Sequence, residues 1–194
     1  MKIVLLGAAG AGKSALLLRL SSDKFIEEVM PTIGAAYAPI VLTQEPLRTV
    51  GLWDTAGQER YAALAPMYYR NADACLIVYD RTSQSSYERA LSWIKTMKET
   101  HPSTHLTLVA SKIDAVAEGQ VGGGEGEAMQ GTAATEAARL GIDFLQVSSK
   151  TGENFPQLRK HLVKTLDSLE ERKVFALPSP TPGRLGMQTI SSCC

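Results

Sequence analysis

The stretch Gly7-Ala8-Ala9-Gly10-Ala11-Gly12-Lys13-Ser14 directly follows the apolar run Ile3-Val4-Leu5-Leu6 and has the form G-x-x-x-x-G-K-[ST]. This pattern is typical of a phosphate-binding loop between a buried strand and a helix. Small residues let consecutive backbone N–H groups curl around a phosphate chain, and the next helix adds its N-terminal dipole. In such a loop Lys13 reaches the β- and γ-phosphates, and the Ser14 hydroxyl ligates Mg²⁺. A glycine-rich turn without a ligand is the alternative interpretation.

Composition narrows the class of protein. The 194 residues carry 20 basic and 20 acidic side chains, so the net charge is zero, and nothing indicates nucleic-acid binding. The length suits one domain with a sizeable core and a tail, and no apolar run approaches the ~20 residues of a membrane span. The three cysteines, Cys75 and the final pair Cys193-Cys194, do not form a disulfide framework, which favours the reducing cytosol.

Strand patterns alternate with helical patterns along the chain, which predicts an α/β fold. We expect a six-stranded, mostly parallel sheet with helices on both faces and one antiparallel edge strand. Pro39 cannot donate to a strand ladder, so the second strand should be that edge. The predicted strands are 2–6, 37–43, 48–53, 74–79, 105–110 and 144–147, and the predicted helices are 13–20, 83–101, 132–140 and 155–174.

Other segments lack a regular pattern. Residues 25–36 are predicted to form a loop, and the glycine-rich stretch 121–131 is predicted to be a flexible surface insertion. From Pro178 onward the composition predicts a disordered tail, so we divide the chain into a domain at 1–175 and a flexible tail at 176–194. The histidines His101, His105 and His161 are scattered without metal-ligand spacing, and surface or packing roles are expected for them.

Later segments lie where a bound nucleotide would need them. The stretch Trp53-Asp54-Thr55-Ala56-Gly57-Gln58-Glu59 puts an Asp at a strand's C-terminal end, the edge at which open α/β sheets bind ligands. Ser111-Lys112-Ile113-Asp114 and Ser148-Ser149-Lys150 follow the fifth and sixth strands, and Thr32 lies in the loop before the second. Singly, these residues could equally be turn residues, helix caps or surface side chains.

In combination, five motifs have the order and approximate spacing of the Ras superfamily of small GTPases: Gly7–Ser14, Thr32, Asp54–Gln58, Ser111–Asp114 and Ser148–Lys150. Trp53–Tyr61 and the terminal Cys193-Cys194 resemble the Rab family, and Thr32–Tyr37 with Leu64–Arg70 resembles its early-endosomal branch. The resemblance covers residues 2 to about 174. It implies a P-loop NTPase G domain that binds GTP and GDP with Mg²⁺, hydrolyses GTP slowly and recruits effectors in vesicle trafficking.

The resemblance also implies roles at the phosphate end of the site. Phosphates would be held by backbone N–H groups of Gly10, Ala11, Gly12, Lys13, Ser14 and Ala15. Ser14 and Thr32 would ligate Mg²⁺ directly, and Asp54 would hold one of its waters. Thr32 and Gly57 would contact the γ-phosphate, and Gln58 would orient the attacking water. Hydrolysis would therefore depend on Gln58, Lys13 and Thr32.

At the base end, the resemblance implies that Phe25 packs against the base, Asp114 pairs with the guanine N1 and N2 hydrogens, and the Ser149 N–H contacts O6. Adenine has no matching pair of donors and would leave the carboxylate unpaired, which selects guanine. Three further residues belong to the same two base-binding motifs: Lys112, Ser148 and Lys150.

Two positions depart from what the family usually has. Ser111 stands where an Asn normally bonds the base and also tethers the phosphate loop. Because serine is shorter and cannot span both, we expect weaker guanine-nucleotide binding and faster release. Ala9 can crowd the γ-phosphate and Gln58, so slow but real intrinsic hydrolysis is expected.

The resemblance implies several partners. Tyr37, Trp53 and Tyr68 occupy the aromatic triad through which Rab proteins present their nucleotide state to effectors, with Tyr37 replacing the usual Phe. The implied regulators are an exchange factor, an activating protein with an arginine finger, a Rab escort protein and a GDP-dissociation inhibitor. Cys193 and Cys194 would carry geranylgeranyl groups that anchor the chain to the cytoplasmic face of endosomal membranes, from which it cycles with the cytosol.

Two other functions fit parts of the pattern. A nucleotide-locked or hydrolysis-deficient interaction module with the same fold would account for Ser111, but such a module would not need the other nucleotide-site residues together. A phosphoryl-transferring kinase would need an acceptor-substrate site, and the sequence shows none.

Overall fold

A computed structural model describes residues 1–27, 30–58, 64–116 and 125–175. The predicted tail at 176–194, which includes Cys193 and Cys194, lies outside these ranges. The strands are β1 (Lys2–Leu6), β2 (Ala35–Gln44), β3 (Leu47–Thr55), β4 (Ala74–Asp80), β5 (His105–Ser111) and β6 (Asp143–Gln146). The helices are α1 (Lys13–Ser22), α2 (Ala65–Tyr69), α3 (Gln84–Thr100), α4 (Glu125–Leu140) and α5 (Phe155–Phe175), with a 3₁₀ turn at Ile113–Val116.

The six strands form one sheet in the order β2-β3-β1-β4-β5-β6. All neighbouring strands pair in parallel except β2, which pairs antiparallel with β3 at one edge and places Pro39 opposite Gly51. The predicted sheet and its antiparallel edge strand are therefore confirmed. Because the other five strands run in one direction, their carboxyl ends lie along the same edge of the sheet.

Alternate residues of the central strand point to opposite faces of the sheet. Ile3 and Leu5 pack with buried leucines of α1 and α5, whereas Val4 and Leu6 pack with buried residues of α3 and α4. Side chains in a strand alternate between faces, so the continuous apolar run of β1 supplies both halves of the core. Helices on both faces are confirmed.

The structure corrects the prediction for 121–131. Residues 125–131 are the first turns of α4, which begins at Glu125 instead of at Thr132, and residues 121–124 lie outside the described ranges. Glycine in a helix costs about 1 kcal/mol relative to alanine. The packing of Ala133 and Ala137 in the core secures the rest of the helix, and tertiary packing outweighs such local preferences.

Smaller differences concern the segments near the expected site. Strand β2 begins at Ala35, within the predicted loop, and the short helix α2 and the 3₁₀ turn were not predicted. The histidines are also not all scattered, since His105 and His161 lie close together in space. In the described ranges, no helix is long and apolar enough to span a bilayer.

Candidate nucleotide-binding site

The phosphate loop connects the end of β1 to the start of α1 at the carboxyl edge of the sheet. Gly12 precedes the helix with a φ of 91°, a left-handed conformation that glycine adopts without strain. A Cβ added at Gly7 would lie 2.1 Å from the carbonyl oxygen of Val78 in β4, so the first position of the motif also requires glycine. The loop thus has the tight backbone path that a phosphate cradle needs.

Lys13 is held over this loop. Its Nζ donates to the carbonyl oxygens of Gly7, at 3.1 Å, and Ala8, at 2.7 Å, and only 5 % of the residue is exposed. Burial lowers the pKa of Lys13 to about 8, although the nearby Asp54 carboxylate acts in the opposite direction. A phosphate anion would supply the compensating charge that this buried ammonium lacks.

Three oxygen atoms converge beside the loop. The Ser14 hydroxyl donates to Asp54 Oδ2 at 2.6 Å, and Thr32 Oγ1 lies 3.0 Å from both Asp54 Oδ2 and Ser14 Oγ. Burial raises the pKa of Asp54, with the Ser14 hydrogen bond, the Lys13 charge and the Thr32 hydrogen bond opposing that rise. Asp54 Oδ1 is buried without a hydrogen-bond partner among the described residues.

These oxygens fit Mg²⁺. Adjacent ligands of an octahedral Mg²⁺ lie about 2.9 Å apart, because each metal–oxygen distance is about 2.0–2.1 Å. The two expected direct ligands, Ser14 Oγ and Thr32 Oγ1, are 3.0 Å apart, which is close to that value. The oxygens are also the hard donors that Mg²⁺ prefers, and the unpaired Oδ1 leaves Asp54 with capacity for a metal-bound water.

The loops that precede β2 and follow β3 meet at the same place. The Ala56 N–H donates to the Gly34 carbonyl oxygen at 2.8 Å, which ties the two loops together. A Cβ at Gly57 would lie 2.5 Å from the Ala8 oxygen, the Ala9 nitrogen and Lys13 Nζ, so Gly57 is closely apposed to the phosphate loop. Gln58 also lines the cavity formed there.

That cavity has a volume of about 410 Å³, within the range of ligand sites. Most predicted nucleotide-binding residues line it: Gly10, Gly12, Lys13, Ser14, Ala15, Phe25, Thr32, Gly57, Ser111, Lys112, Asp114, Ser149 and Lys150. Ala11, Asp54 and Ser148 do not line it; each is at most 1 % exposed. Each of the three is hydrogen-bonded to a residue that does line the cavity: Asp54 to Ser14, Ser148 to Asp114, and the Ala11 carbonyl oxygen to Ser111.

The residues expected to select guanine are oriented by hydrogen bonds. The Ser148 hydroxyl donates to Asp114 Oδ1 at 2.5 Å and accepts from the Thr151 N–H at 3.0 Å. Lys112 has a φ of 58° and forms an ion pair of 2.7 Å with Asp80 at the end of β4. Burial by itself would raise the pKa of Asp80, but hydrogen bonds from Lys112 and Thr82 keep that pKa below its usual value. Asp80 is therefore ionised and pairs with the Lys112 ammonium.

Arg19 was missed by the sequence analysis. Its Nε donates to the Ser149 carbonyl at 2.8 Å and its Nη2 to the Lys150 carbonyl at 2.7 Å, so α1 holds the backbone of the loop after β6. The available sequence signal was an arginine within the otherwise apolar run Leu16–Leu20. Arg19 therefore fixes the position of the backbone at Ser149 and Lys150.

Ser111 keeps one of the two tethers expected of an asparagine. Its Oγ lies 2.6 Å from the Ala11 carbonyl oxygen and 2.9 Å from that of Tyr79. A hydroxyl has one proton, which these two acceptors share. The phosphate loop is therefore still anchored to β5, but the donor is directed at backbone carbonyls and no proton remains for a base.

We predict that Ser111→Asn slows GDP dissociation by about 5- to 150-fold, since one recovered hydrogen bond to a buried or charged group contributes ~1–3 kcal/mol. The measurement is the release of a fluorescent GDP analogue in excess unlabelled GDP. Ser85→Asn, on the exposed first turn of α3, is the matched control and should release GDP at the wild-type rate. Equal rates for Ser111→Asn and wild type would contradict the prediction.

The three aromatic residues predicted to contact effectors lie together beside the site. The rings of Tyr37 and Trp53 are 5.1 Å apart, and those of Trp53 and Tyr68 are 6.4 Å apart. Tyr37 is 56 % exposed, and the ammonium of Lys2 lies 5.6 Å from the centre of the Trp53 ring. The cluster spans β2, β3 and α2, so it is adjacent to the loops that would sense the γ-phosphate.

The fold and the site define a P-loop nucleotide-binding domain in which the loops before β2 and after β3 meet beside the phosphate loop. The Ras family model matches residues 2–168. The chain is 36 % identical to Ras-related protein RABF2b of Arabidopsis thaliana (100 % of this chain, 94 % of the relative) and 39 % identical to Ras-related protein Rab-5A of Dictyostelium discoideum (98 % and 90 %). It is 40 % identical to GTP-binding protein ypt5 of Schizosaccharomyces pombe (85 % and 77 %). The chain belongs to the Ras family.

Members of this family are small GTPases that bind GTP and GDP and hydrolyse GTP, and this chain resembles its Rab5-type proteins. The predicted resemblance is thereby confirmed. The similarity to Rab5-type proteins supports regulators and effectors in general and implies an association with endosomes. The interaction module without switching is not favoured.

Proposed function

We propose that this chain is a Mg²⁺-dependent GTP switch of endosomal vesicle trafficking in which Thr32 and Gly57 report the γ-phosphate. The observation that carries the proposal is the convergence of Ser14, Thr32 and Asp54 next to Lys13, with Gly57 against the phosphate loop. When Mg²⁺ is bound, it would neutralise phosphate charge during hydrolysis. Ser14 and Thr32 would ligate it, and Asp54 would hold one of its waters.

Switching follows from how the two loops are connected. The Ala56–Gly34 hydrogen bond joins them, so a γ-phosphate that contacts Thr32 and Gly57 would fix both loops at once. Loss of that phosphate removes a contact from each loop. Tyr37 follows one loop directly in β2, and Tyr68 lies in α2 after the other, so the aromatic cluster would change with nucleotide state.

In hydrolysis, Gln58 would orient the attacking water and Lys13 would stabilise the charge that develops on the phosphates. Ala9 lines the same cavity as Gln58. Its methyl group would crowd the water position, which supports a slow intrinsic rate. An activating protein that adds an arginine would accelerate the step by roughly 10³–10⁵-fold.

The first test is chemical identification of the nucleotide that purified protein releases on denaturation. We expect near-stoichiometric GDP or a mixture of GDP and GTP. Gln58→Leu is then expected to slow phosphate release from bound GTP by about 10²-fold, because one positioned polar group is lost from the transition state. Gln157→Leu, on the exposed side of α5, is the matched control. Protein without bound guanine nucleotide that gains none from added GTP and Mg²⁺ would contradict the proposal.

Effectors would bind at the aromatic cluster. Besides Tyr37, large apolar side chains of the adjoining segments are exposed, among them Ile33 by 80 % and Met67 by 70 %. Exposed apolar groups of this kind mark interaction surfaces. We propose that an exchange factor, an activating protein, a Rab escort protein and a GDP-dissociation inhibitor act on this chain as they do on other Rab proteins.

We propose that prenyl groups on Cys193 and Cys194 hold the chain at the cytoplasmic face of endosomal membranes, from which it cycles with the cytosol. One lipid chain gives marginal membrane binding, and two give stable anchoring. The double variant Cys193→Ser/Cys194→Ser should therefore remain in the cytosolic fraction of fractionated cells, with its bound GDP unchanged. Recovery of that variant with membranes at the wild-type level would contradict the anchor.

A further inference from the structure

A second group of metal-ligating side chains lies at the opposite edge of the sheet from the nucleotide. His105 is the first residue of β5, Asp143 is the first residue of β6, and His161 lies on α5. One nitrogen of each imidazole and one carboxylate oxygen lie within 4.8 Å of one another. The amino ends of parallel strands share one edge, so residues 38 positions apart become neighbours there. None of the three lines the nucleotide cavity.

His105 and Asp143 are in close contact, but their geometry is not that of a hydrogen bond. His105 Nε2 lies 2.9 Å from Asp143 Oδ2, yet this nitrogen is buried and has no aligned hydrogen-bond partner among the described residues. Ligands at about 2.0–2.1 Å from a tetrahedral zinc ion are about 3.3 Å apart. The observed separation is slightly shorter than that distance, so a small turn of the two side chains would let them share a metal ion.

His161 has a partner that suits a metal ligand. Its Nε2 lies 2.9 Å from the hydroxyl of Thr107, which is 1 % exposed. When Nε2–H donates to that hydroxyl, the other ring nitrogen keeps its lone pair, and such a second hydrogen bond typically orients a metal-bound histidine.

We propose that His105, Asp143 and His161 bind a divalent transition-metal ion, with Zn²⁺ as the ion that the ligands suit best. Two imidazoles and one carboxylate are ligands that Zn²⁺ accepts, and water would complete the coordination. Any separation near the 4.8 Å limit must shorten, because two ligands of a tetrahedral zinc ion are about 3.3 Å apart. Asp143 and His105 are 52 % and 27 % exposed, which leaves their side chains room to turn.

An ion bound here would connect β5 and β6 to α5. Because it would bind the folded chain and not the unfolded one, zinc should raise the melting temperature. The nearby Lys164 ammonium opposes a cation, and the Asp143 carboxylate favours it. The site is independent of GTP, since its residues lie at the other edge of the sheet from the phosphate loop.

The test is equilibrium dialysis of the full-length, untagged chain against micromolar Zn²⁺, with metal counted by elemental analysis. Cys193→Ser and Cys194→Ser are included in every sample, because tail thiolates also bind zinc. Excess GDP and Mg²⁺ keep zinc out of the nucleotide site. We expect one zinc ion per chain, a rise in melting temperature, and a Co²⁺ complex with d–d absorption bands.

His161→Gln and His105→Gln should each weaken zinc binding by at least about tenfold, since even the partners of metal ligands contribute 10- to 100-fold. Asp143→Asn should weaken it as well. The matched control is His101→Gln: this histidine packs edge-on against Tyr69 away from the cluster and should bind zinc as wild type does. Variants whose circular dichroism and GDP content match those of wild type are folded. If one of the two histidine variants does not fold, the other still tests the proposal.

Three results would overturn the proposal: absence of saturable zinc uptake, uptake that the cluster variants leave unchanged, or an equal loss in His101→Gln. None of these results bears on GTP binding.

Discussion

Asp114→Asn is expected to reverse the base preference of the nucleotide site from guanine to xanthine. The carboxylate can accept hydrogen bonds from the N1 and N2 hydrogens of guanine, whereas an asparagine amide presents one acceptor and one donor. The amide donor would then face the guanine amino group. In xanthine a carbonyl oxygen replaces that amino group, so the amide and the base become complementary.

The expected loss in GDP affinity is about 10²-fold or more, because hydrogen bonds to a charged group contribute about 1.5–3 kcal/mol each. Displacement of a bound fluorescent nucleotide by GDP and by XDP, at fixed Mg²⁺, measures the affinity of the variant for each of the two nucleotides. Ser148 donates to Asp114 Oδ1 and can equally donate to the asparagine oxygen, so the local structure should persist.

Asp143→Asn, at the opposite edge of the sheet, makes the same chemical change far from the base and should leave the preference for GDP intact. An Asp114→Asn variant that still binds GDP as tightly as wild type does would show that Asp114 does not recognise the base.

Lys13→Met is expected to lower nucleotide affinity by about 10²- to 10⁴-fold, which corresponds to the 3–5 kcal/mol lost when one member of a buried charge pair is removed. The reason is the position of Lys13, whose ammonium is buried against the phosphate loop. Titration with a fluorescent GDP analogue measures the loss. Lys95→Met on the exposed face of α3 is the matched control, and equal affinities in the two variants would contradict the assignment.

The same substitution should not destabilise the nucleotide-free protein. The pKa of Lys13 falls from 10.5 to about 8 in the folded chain, so between these values the unfolded chain binds more protons and wild-type stability rises with pH. Below pH 8 Lys13 is charged in both the folded and the unfolded chain, so the burial of its charge lowers the free energy of unfolding by the full amount. Lys13→Met removes the buried charge, so the free energy of unfolding of this variant at pH 7 should equal or exceed that of wild type.

Urea unfolding of nucleotide-free protein at pH 7 and at pH 9 gives the comparison. Wild type should become more stable relative to Lys13→Met as the pH rises through about 8. A variant that is much less stable than wild type at pH 7 would indicate that Lys13 supports the fold rather than the ligand.

The sequence predicted those features that depend on short stretches of chain. The glycines and Lys13 of the phosphate loop form a contiguous motif, because a backbone wrapped around phosphate needs small residues at fixed spacing. Apolar runs such as Ile3–Leu6 identified the buried strands, and Pro39 indicated the edge strand because it lacks an N–H group. Strand direction then placed Asp54, Asp114 and Ser149 at one edge of the sheet.

Tertiary structure decided the contacts between residues far apart in the chain. Arg19 reaches the Ser149 carbonyl across 130 positions, and Ser111 reaches the Ala11 carbonyl across 100. Neither residue type has a preferred partner that sequence spacing reveals, because the partner depends on which helix packs over which strand end. The start of α4 at Glu125 has a similar origin, since packing against the sheet outweighs the local preference of glycine.

The sequence by itself determined that this chain folds as a P-loop α/β domain and carries the motifs of a Rab-type GTPase, because strand periodicity and phosphate-loop chemistry are local properties. The tertiary structure alone decided that Ser111 anchors the phosphate loop and that His105, Asp143 and His161 meet at the far edge of the sheet. Parallel pairing of β5 with β6 and the packing of α5 against them bring those three side chains together, and no spacing along the chain encodes that proximity.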